Sequence, residues 1–274
     1  MNWHYITILS VHNNQGEFMP ISRIPDTEST LRATSSVLGL LSQIAGFTVG
    51  FTGLAYIIGW RETSAYYFQL GAPWATSLLT PAQVMQTSIS LITIISTFAF
   101  ISVVSLITKD VSTKGLRRWS IFSLTLALVA YGLSLVLEKH VSAFATNTLV
   151  GVSGLLWAVA AGTTVGELIA CLALRELQWG GYEVYLLNFI VLYGFSQAPS
   201  LMGESKARLV GDTVSTSLPS ISLAGTVSGS WRLVGPCGDK FLLISLASER
   251  QGRSFKLVNS EDIEEIRASG SITN

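Results

Sequence analysis

The sequence predicts an α-helical multi-pass membrane bundle followed by a small all-β C-terminal domain. Of the 274 residues, 49% are hydrophobic and only 12% are charged, a balance that is rare in soluble domains. The run from Thr148 to Leu174 contains one ionisable residue, Glu167, and exceeds the roughly twenty apolar residues that cross a ~30 Å hydrocarbon layer. After residue 200 the composition becomes that of a soluble segment. We therefore expect four spans, plus one segment that is either a short fifth crossing or re-entrant.

The chain divides into three parts on this basis. An N-terminal polar or interfacial segment covers residues 1–36, the transmembrane bundle covers 37–199, and the β domain covers 200–274. Spans are expected near residues 37–58, 85–108, 119–137 and 148–174, and the ambiguous segment is 180–199. The first part has no basic residue before Arg23, whereas a secretory signal begins with positive charge.

The first span carries a pair of glycines four residues apart, Gly46 and Gly50, which is typical of close helix contacts in membranes. The connector that follows, from Gly59 to Val84, is rich in aromatic side chains of the kind that prefer the headgroup level. Gly71 and a proline two residues later break any regular helix there. The connector is either an interfacial loop lying along the membrane or an aromatic lid over a ligand.

The second span has an unusually polar face. Helical spacing places four of its polar residues on one side, namely Gln86, Ser90, Thr93 and Thr97. Such side chains bond to carbonyl groups of their own helix or to a neighbouring helix, and they also line water-filled paths. Both interpretations remain open at this point.

Small residues recur at every fourth position of the fourth span, which places them along one ridge for helix packing. They are Gly154, Ala158, Gly162, Gly166 and Ala170.

Glu167 adjoins this ridge, and Thr163 and Thr164 lie one turn away. An ionisable residue inside a span is costly and is by default a functional candidate. Glu167 either takes part in proton or ion movement, or it pairs with a basic residue such as Arg175 or Arg118.

The connector after the second span is the most basic short loop in the chain. Its basic residues are Lys109, Lys114, Arg117 and Arg118. The positive-inside rule places this loop, and with it the N-terminus, in the cytoplasm. We expect a bacterial inner membrane location.

Segment 180–199 decides the side of the C-terminal domain, which lies outside if the segment crosses and in the cytoplasm if it does not. The apolar core from Val184 to Phe195 is short for a crossing. A free thiol at Cys237 also favours a reducing compartment. Both observations predict a cytoplasmic C-terminal domain.

The tail predicts a meander of short strands separated by glycine, proline and other turn residues. The candidate strands are Ser220–Ala224, Trp231–Val234, Lys240–Leu246 and Ser254–Val258. A short turn or a last strand follows Asn259. Because such a piece needs closure or a partner to be stable, we expect a small SH3-like or Sm-like barrel that packs against the helices or against other copies of the chain.

No catalytic or cofactor motif accompanies this architecture. The sequence has no phosphate loop, HExxH, GxSxG or CxxC pattern, and its two cysteines and three histidines lack metal-ligand spacing. Glu183 stands at the edge of the ambiguous segment, but we do not expect an acid/base pair with Glu167. A net charge of zero gives no reason to expect nucleic acid binding. We expect no enzyme, no cofactor and no metal.

Two functions remain. The first is a non-enzymatic integral membrane interaction protein of a sensor, assembly, or immunity and defence type, whose β domain binds a partner. Its expected partners are membrane lipid and either another protein or further copies of itself. The alternative is a homo-oligomeric channel or transport subunit, in which Glu167 and the Ser/Thr face of the second span line a pathway.

Overall fold

The computed structural model describes residues 27–138, 140–174, 181–211, 216–223, 231–246 and 252–267, without the side chains of 27–44, 47, 174 and 181–183. The helices are α1 (Thr27–Leu70), α2 (Pro81–Ile107), α3 (Thr113–Leu137), α4 (Ala143–Leu174) and α5 (Gly181–Val210), with a 3₁₀ helix at Pro73–Leu78. The chain forms two units, Met1–Val49 and Gly50–Asn274, and the packing described below lies in the second. The predicted N-terminal segment as far as residue 26 lies outside the described residues.

Four helices of the described part are long and apolar enough to cross a membrane. They are Pro81–Ile107, Thr113–Leu137, Ala143–Ala173 and Val184–Val210. The protein is therefore an integral membrane protein, and the predicted fold class is confirmed. The first predicted span, 37–58, falls within α1, where many side chains lie outside the described set.

From Gly181 onward the ambiguous segment belongs to α5, a helix of 30 residues that continues to Val210. In the sequence only the apolar core from Val184 to Phe195 counts toward a crossing, whereas the helix runs on through polar residues to its end. In the structure Pro199 lies inside the helix and is fully buried. Neighbouring helices make proline tolerable within membrane helices. The β domain consequently begins after Gly211 and not at residue 200.

Helix α1 also runs further than expected, since residues 59–70 continue it instead of forming a loop. Gly59 serves a close contact and not a helix break, because a Cβ there would lie 1.9 Å from the carbonyl oxygen of Val84 in α2. The break comes at Gly71, whose φ of 99° is a left-handed conformation that favours glycine. The aromatic connector is therefore largely helical.

The small-residue ridge of α4 lies against two neighbours. Added Cβ atoms would lie 2.6 Å from the carbonyl oxygen of Ile95 at Gly162, and 2.4 Å from that of Ala99 at Gly166. At Gly154 the nearest atom is a carbonyl oxygen of α5, 3.2 Å away. A row at every fourth residue winds about 40° around the helix per step, so its two ends face different helices. The remaining members, Ala158 and Ala170, are buried.

The glycine pair of the first span has a different environment. Gly46 lies in the first unit, and around Gly50 no described atom lies within 4 Å of an added Cβ. The helix contact expected of this pair stays a prediction.

The C-terminal part forms one antiparallel five-stranded sheet in the order β4-β3-β2-β1-β5. The strands are β1 (Ser220–Leu223), β2 (Trp231–Cys237), β3 (Lys240–Ser245), β4 (Ser254–Val258) and β5 (Ile263–Arg267). β5 returns to pair with β1, with Ile221 opposite Ile266, after a 3₁₀ turn at Ser260–Asp262. Strands β1 to β4 therefore follow one another as the predicted meander, whereas closure into an SH3-like or Sm-like barrel stays a prediction. We call residues 216–267 the β module.

Gly166→Ala is expected to destabilise the bundle, because the added methyl group would lie 2.4 Å from the carbonyl oxygen of Ala99. The loss in free energy of unfolding should be roughly 1–3 kcal/mol, the usual cost of overpacking. Unfolding in detergent followed by circular dichroism measures it. Gly132→Ala in α3 is the matched control, since no described atom lies within 4 Å of that position. Equal stability of the two variants would contradict the close contact of α4 with α2.

Candidate functional site

The β module packs one face against one end of the helical bundle. A single buried cluster contains residues of both parts. Its bundle members are Tyr67, Leu70, Ala72, Ala75 and Ala207, and its module members are Leu218, Cys237, Leu242 and Ile244. Because the two parts share this core, the module is not a tethered domain that moves freely of the helices.

Arg253 of the module binds the ends of two helices at once. Its Nη1 atom donates a hydrogen bond to the carbonyl oxygen of Leu70, the last residue of α1, over 3.2 Å. Its Nη2 atom donates to the carbonyl oxygen of Gly211, directly after α5, over 2.9 Å. Carbonyl groups at helix C-termini lack partners within the helix and carry partial negative charge. One guanidinium group therefore satisfies both ends, and we call this contact the Arg253 clamp.

The turn between β2 and β3 makes a second contact, at the start of α2. The Oε1 atom of Gln83 accepts from the backbone N–H of Thr80, which completes a capping box, and also from the backbone N–H of Gly238 over 3.4 Å. Gly238 has a φ of 68°, and an added Cβ would lie 3.0 Å from the carbonyl oxygen of Leu78. Both its conformation and its close approach therefore require glycine.

Cys237 adds a hydrogen bond from its buried thiol to the carbonyl oxygen of Ala75, over 3.4 Å. Burial raises the pKa of the Cys237 thiol, which keeps it a neutral donor. The expected free thiol is thus a packing residue in this structure.

A cavity of 330 Å³ lies between the β module and the bundle, and we call it the seam cavity. The end of α1, the start of α2, the end of α5 and strand β2 contribute its walls. Polar wall residues include Glu62, Thr63, Tyr66, Tyr67, Gln86 and Lys206, and apolar ones include Leu79, Val234 and Pro236. Its size falls in the range of small-molecule sites.

Glu62 and Lys206 form an ion pair in this cavity. The Glu62 side chain is only 5% exposed, whereas the Lys206 side chain is 48% exposed. Lys206 bonds to Oε1, and among the described residues no hydrogen bond to Oε2 is seen. Burial raises the pKa of the Glu62 carboxyl, and Lys206 partly opposes that shift. Because Glu62 lines the cavity, Oε2 is the carboxylate oxygen that is left for a further donor.

Tyr66 and Tyr67 lie beside this carboxylate. Their rings meet edge to face with centroids 5.1 Å apart. Burial raises the pKa of Tyr66 to about 12 and raises the pKa of Tyr67 as well, so both hydroxyls are neutral donors. Within the described part of the chain neither hydroxyl makes a hydrogen bond. Both rings belong to the aromatic connector that the sequence indicates, but no sequence pattern pointed to Glu62 and Lys206 as site residues. The spacing of Glu62 and Tyr66, four residues apart, would have signalled one helical face.

Glu167 lies elsewhere, in the interior of the bundle, and is 1% exposed. Its Oε1 accepts a hydrogen bond from Nε of Arg117 in α3 over 2.6 Å. Of the two partners named above, Arg118 is not the one, and Arg175 lies outside the described residues. Thr164 contacts the hydroxyl of Ser120 in α3 at 2.8 Å.

The remaining predicted site residues do not gather around Glu167. Thr163 donates to carbonyl groups of its own helix, as do Thr93 and Thr97 of α2. Ser90, Thr93 and Thr97 are exposed on the outer surface of the bundle, whereas Gln86 lines the seam cavity. The Glu183 side chain lies outside the described set. No cluster of three or more metal-ligating side chains is found among the described residues.

Comparisons with protein-family models, with curated proteins and with solved structures find no match for this chain. We therefore infer function from the geometry of the seam cavity, the Arg253 clamp and the bundle interior.

Arg253→Met is expected to loosen the ends of α1 and α5 together, although 140 residues separate them in the chain. The variant removes both donors from the helix-end carbonyl groups and should speed amide exchange in the last turns of both helices by about tenfold. Hydrogen–deuterium exchange with mass spectrometry measures it. Lys256→Met on exposed β4 is the control and should leave both ends unchanged. Faster exchange confined to the module would contradict the clamp.

Proposed function

We propose that this chain is a non-enzymatic integral membrane interaction protein of the sensor type. In this proposal a ligand binds to the β module, or between the module and the bundle, and the two parts then change conformation together. The observation that carries it is the Arg253 clamp, which joins one module residue to the ends of α1 and α5. A ligand that moves the module must then move two helices. The expected partners are membrane lipid and either another protein or further copies of the chain.

The contacts of the polar intramembrane residues favour this function over a channel. Glu167 is closed into an ion pair with Arg117, which gives the buried carboxylate a structural role. The hydroxyls of Thr93 and Thr97 bond to their own helix, so they need no water-filled path. No specific contact of the described residues favours conduction.

We further propose that the β module faces the outside of a bacterial inner membrane, with the N-terminus in the cytoplasm. Helix α2, which has 27 residues, begins beside the module, where Gln83 bonds to Gly238, and ends beside the basic connector. The module and that connector therefore lie at opposite ends of the bundle, and the positive-inside rule places the connector in the cytoplasm. The expectation of a cytoplasmic C-terminal domain depends on a short segment 180–199 and on the free thiol of Cys237, whereas α5 has 30 residues and the thiol is buried against Ala75.

Proteoliposomes test the choice between sensor and channel. The purified protein should leave imposed potassium and proton gradients as stable as protein-free liposomes do, because the bundle interior is closed by packed side chains and an ion pair. Fluorescence of a trapped pH indicator follows the gradient, and an added ionophore provides the positive control. Glu167→Gln should behave like the wild type. Conduction that this substitution alters would contradict the proposal and favour the channel.

Thiol labelling tests the orientation. Both native cysteines are buried, so they leave little background. Asn259→Cys in the module should react with a membrane-impermeant maleimide in intact bacterial spheroplasts, because the residue is exposed. Asp110→Cys in the basic connector is the matched control and should react only after the membrane is opened. The reverse pattern would place the module in the cytoplasm.

A further inference from the structure

We propose that the seam cavity binds a zwitterionic amine, meaning a group that carries a primary ammonium and an anionic centre beside an apolar body. The proposal rests on the proposed function, because a sensor needs a ligand site in contact with the elements that respond. It deepens that function by naming the class of ligand. Two sources share this chemistry: the headgroup of an aminophospholipid and a free amino acid or similar small molecule.

The ammonium end is assigned to Glu62. Its side chain is 95% buried, and only one of its two carboxylate oxygens is bonded to Lys206 among the described residues. A buried carboxylate is costly unless charged donors satisfy it. A primary ammonium supplies three N–H donors in a compact group. It can therefore bond to the open oxygen without removing the existing ion pair.

The anionic end is assigned to Lys206 and the two phenols. Lys206 is half exposed at the mouth of the cavity, so its ammonium can turn toward a ligand while its flexible stem stays in place. Tyr66 and Tyr67 line the same cavity, and their hydroxyls are further neutral donors. Phosphate and carboxylate oxygens accept such bonds well.

Charge balance selects the zwitterion over simpler ligands. Among the described residues, Glu62 and Lys206 are the two charged ones that line the cavity, and their charges cancel. A purely cationic ligand would compete with Lys206 for Glu62, and a purely anionic one would leave Glu62 without its partner. A zwitterion pairs with both residues and leaves no buried charge alone.

The location suits a ligand that has both polar and apolar parts. The cavity lies at the end of the bundle, where Leu79, Val234 and Pro236 provide an apolar wall. Trp60 and Trp74, which are 40% and 45% exposed, lie on the neighbouring elements α1 and the 3₁₀ helix. Exposed tryptophans mark the headgroup level of a membrane. A lipid headgroup and a dissolved small molecule can both reach such a place.

The test compares ligands that differ in one feature. Protein in detergent is equilibrated with equal amounts of phosphatidylethanolamine and phosphatidylcholine, and native mass spectrometry counts the retained lipid. Both headgroups carry a phosphate, but the quaternary ammonium of the second cannot donate to Glu62. In a separate arm, calorimetry measures binding of leucine and of phosphoethanolamine to protein that is purified with phosphatidylcholine alone.

We expect a preference of about tenfold for primary amines, the effect of one charge-assisted hydrogen bond. Retention of phosphatidylethanolamine alone identifies the headgroup as the source, and binding of leucine or phosphoethanolamine identifies a free molecule. Glu62→Gln should abolish the preference, and Glu204→Gln, which lies in an ion pair with Arg208 on α5, should keep it. Tyr66→Phe, which removes one hydroxyl only, should weaken binding severalfold even if the Glu62 variant does not fold.

Equal retention of the two lipids without binding of either free molecule overturns the proposal, and so does a preference that survives Glu62→Gln. Exchange measurements on the liganded protein separate this failure from that of the proposed function. Binding without any change in amide exchange at the ends of α1 and α5 would support the binding site and contradict the proposed sensor function. Absence of binding would contradict the proposed ligand site but would not affect the evidence for the Arg253 clamp.

Discussion

The close approach of α4 to its neighbours is the constraint on which the rest of the bundle depends. Lipid tails give helices no hydrophobic reason to associate, so association must come from packing at short range. In the apolar stretch of α4, 61% of the residues are buried, compared with 22–33% in the corresponding stretches of the other three described crossing helices. Such central placement is possible because Gly162 and Gly166 let carbonyl groups of α2 lie where side chains would otherwise be.

The central position of α4 also explains why its one charged residue, Glu167, forms an ion pair. Glu167 cannot reach water from the middle of the bundle, so α3 provides Arg117, which is itself only 18% exposed. The ion pair of Glu62 with Lys206 is different, because its basic member is half exposed. Both members of the first pair are largely buried, whereas the second pair lines the seam cavity. The carboxylate whose basic partner is buried has a structural role, whereas the carboxylate whose basic partner is half exposed is suited to binding a ligand.

The sequence was sufficient for those features that depend on local pattern. Apolar runs identified α2, α3 and α4 as crossing helices, small residues at every fourth position identified the face of α4 that packs closely, and short apolar or alternating runs identified the strands. It was insufficient where distant residues change the meaning of local ones. Lys206 and Arg208 resemble the start of a soluble tail, yet they extend α5 because Glu62, Glu138 and Glu204 pair with them.

The seam cavity could not be predicted for the same reason. Glu62 and Lys206 are 144 residues apart, and strand β2 contributes a wall from later still. The sequence pattern within one segment does not indicate which distant segments pack against it in the fold. Gly59 shows the related difficulty at short range, since the sequence alone does not tell whether a glycine breaks a helix or admits a neighbouring backbone.

The Arg253 clamp has a consequence for biosynthesis. The arginine follows Leu70 by 183 residues, so α1 and α5 have already been synthesised when the ribosome reaches it. Throughout membrane insertion the two helix ends must rely on water or on temporary partners for their carbonyl groups. The final arrangement at that end of the bundle is therefore reached only after all the described crossing helices have been synthesised. Arg253 then joins two helix ends that were made earlier.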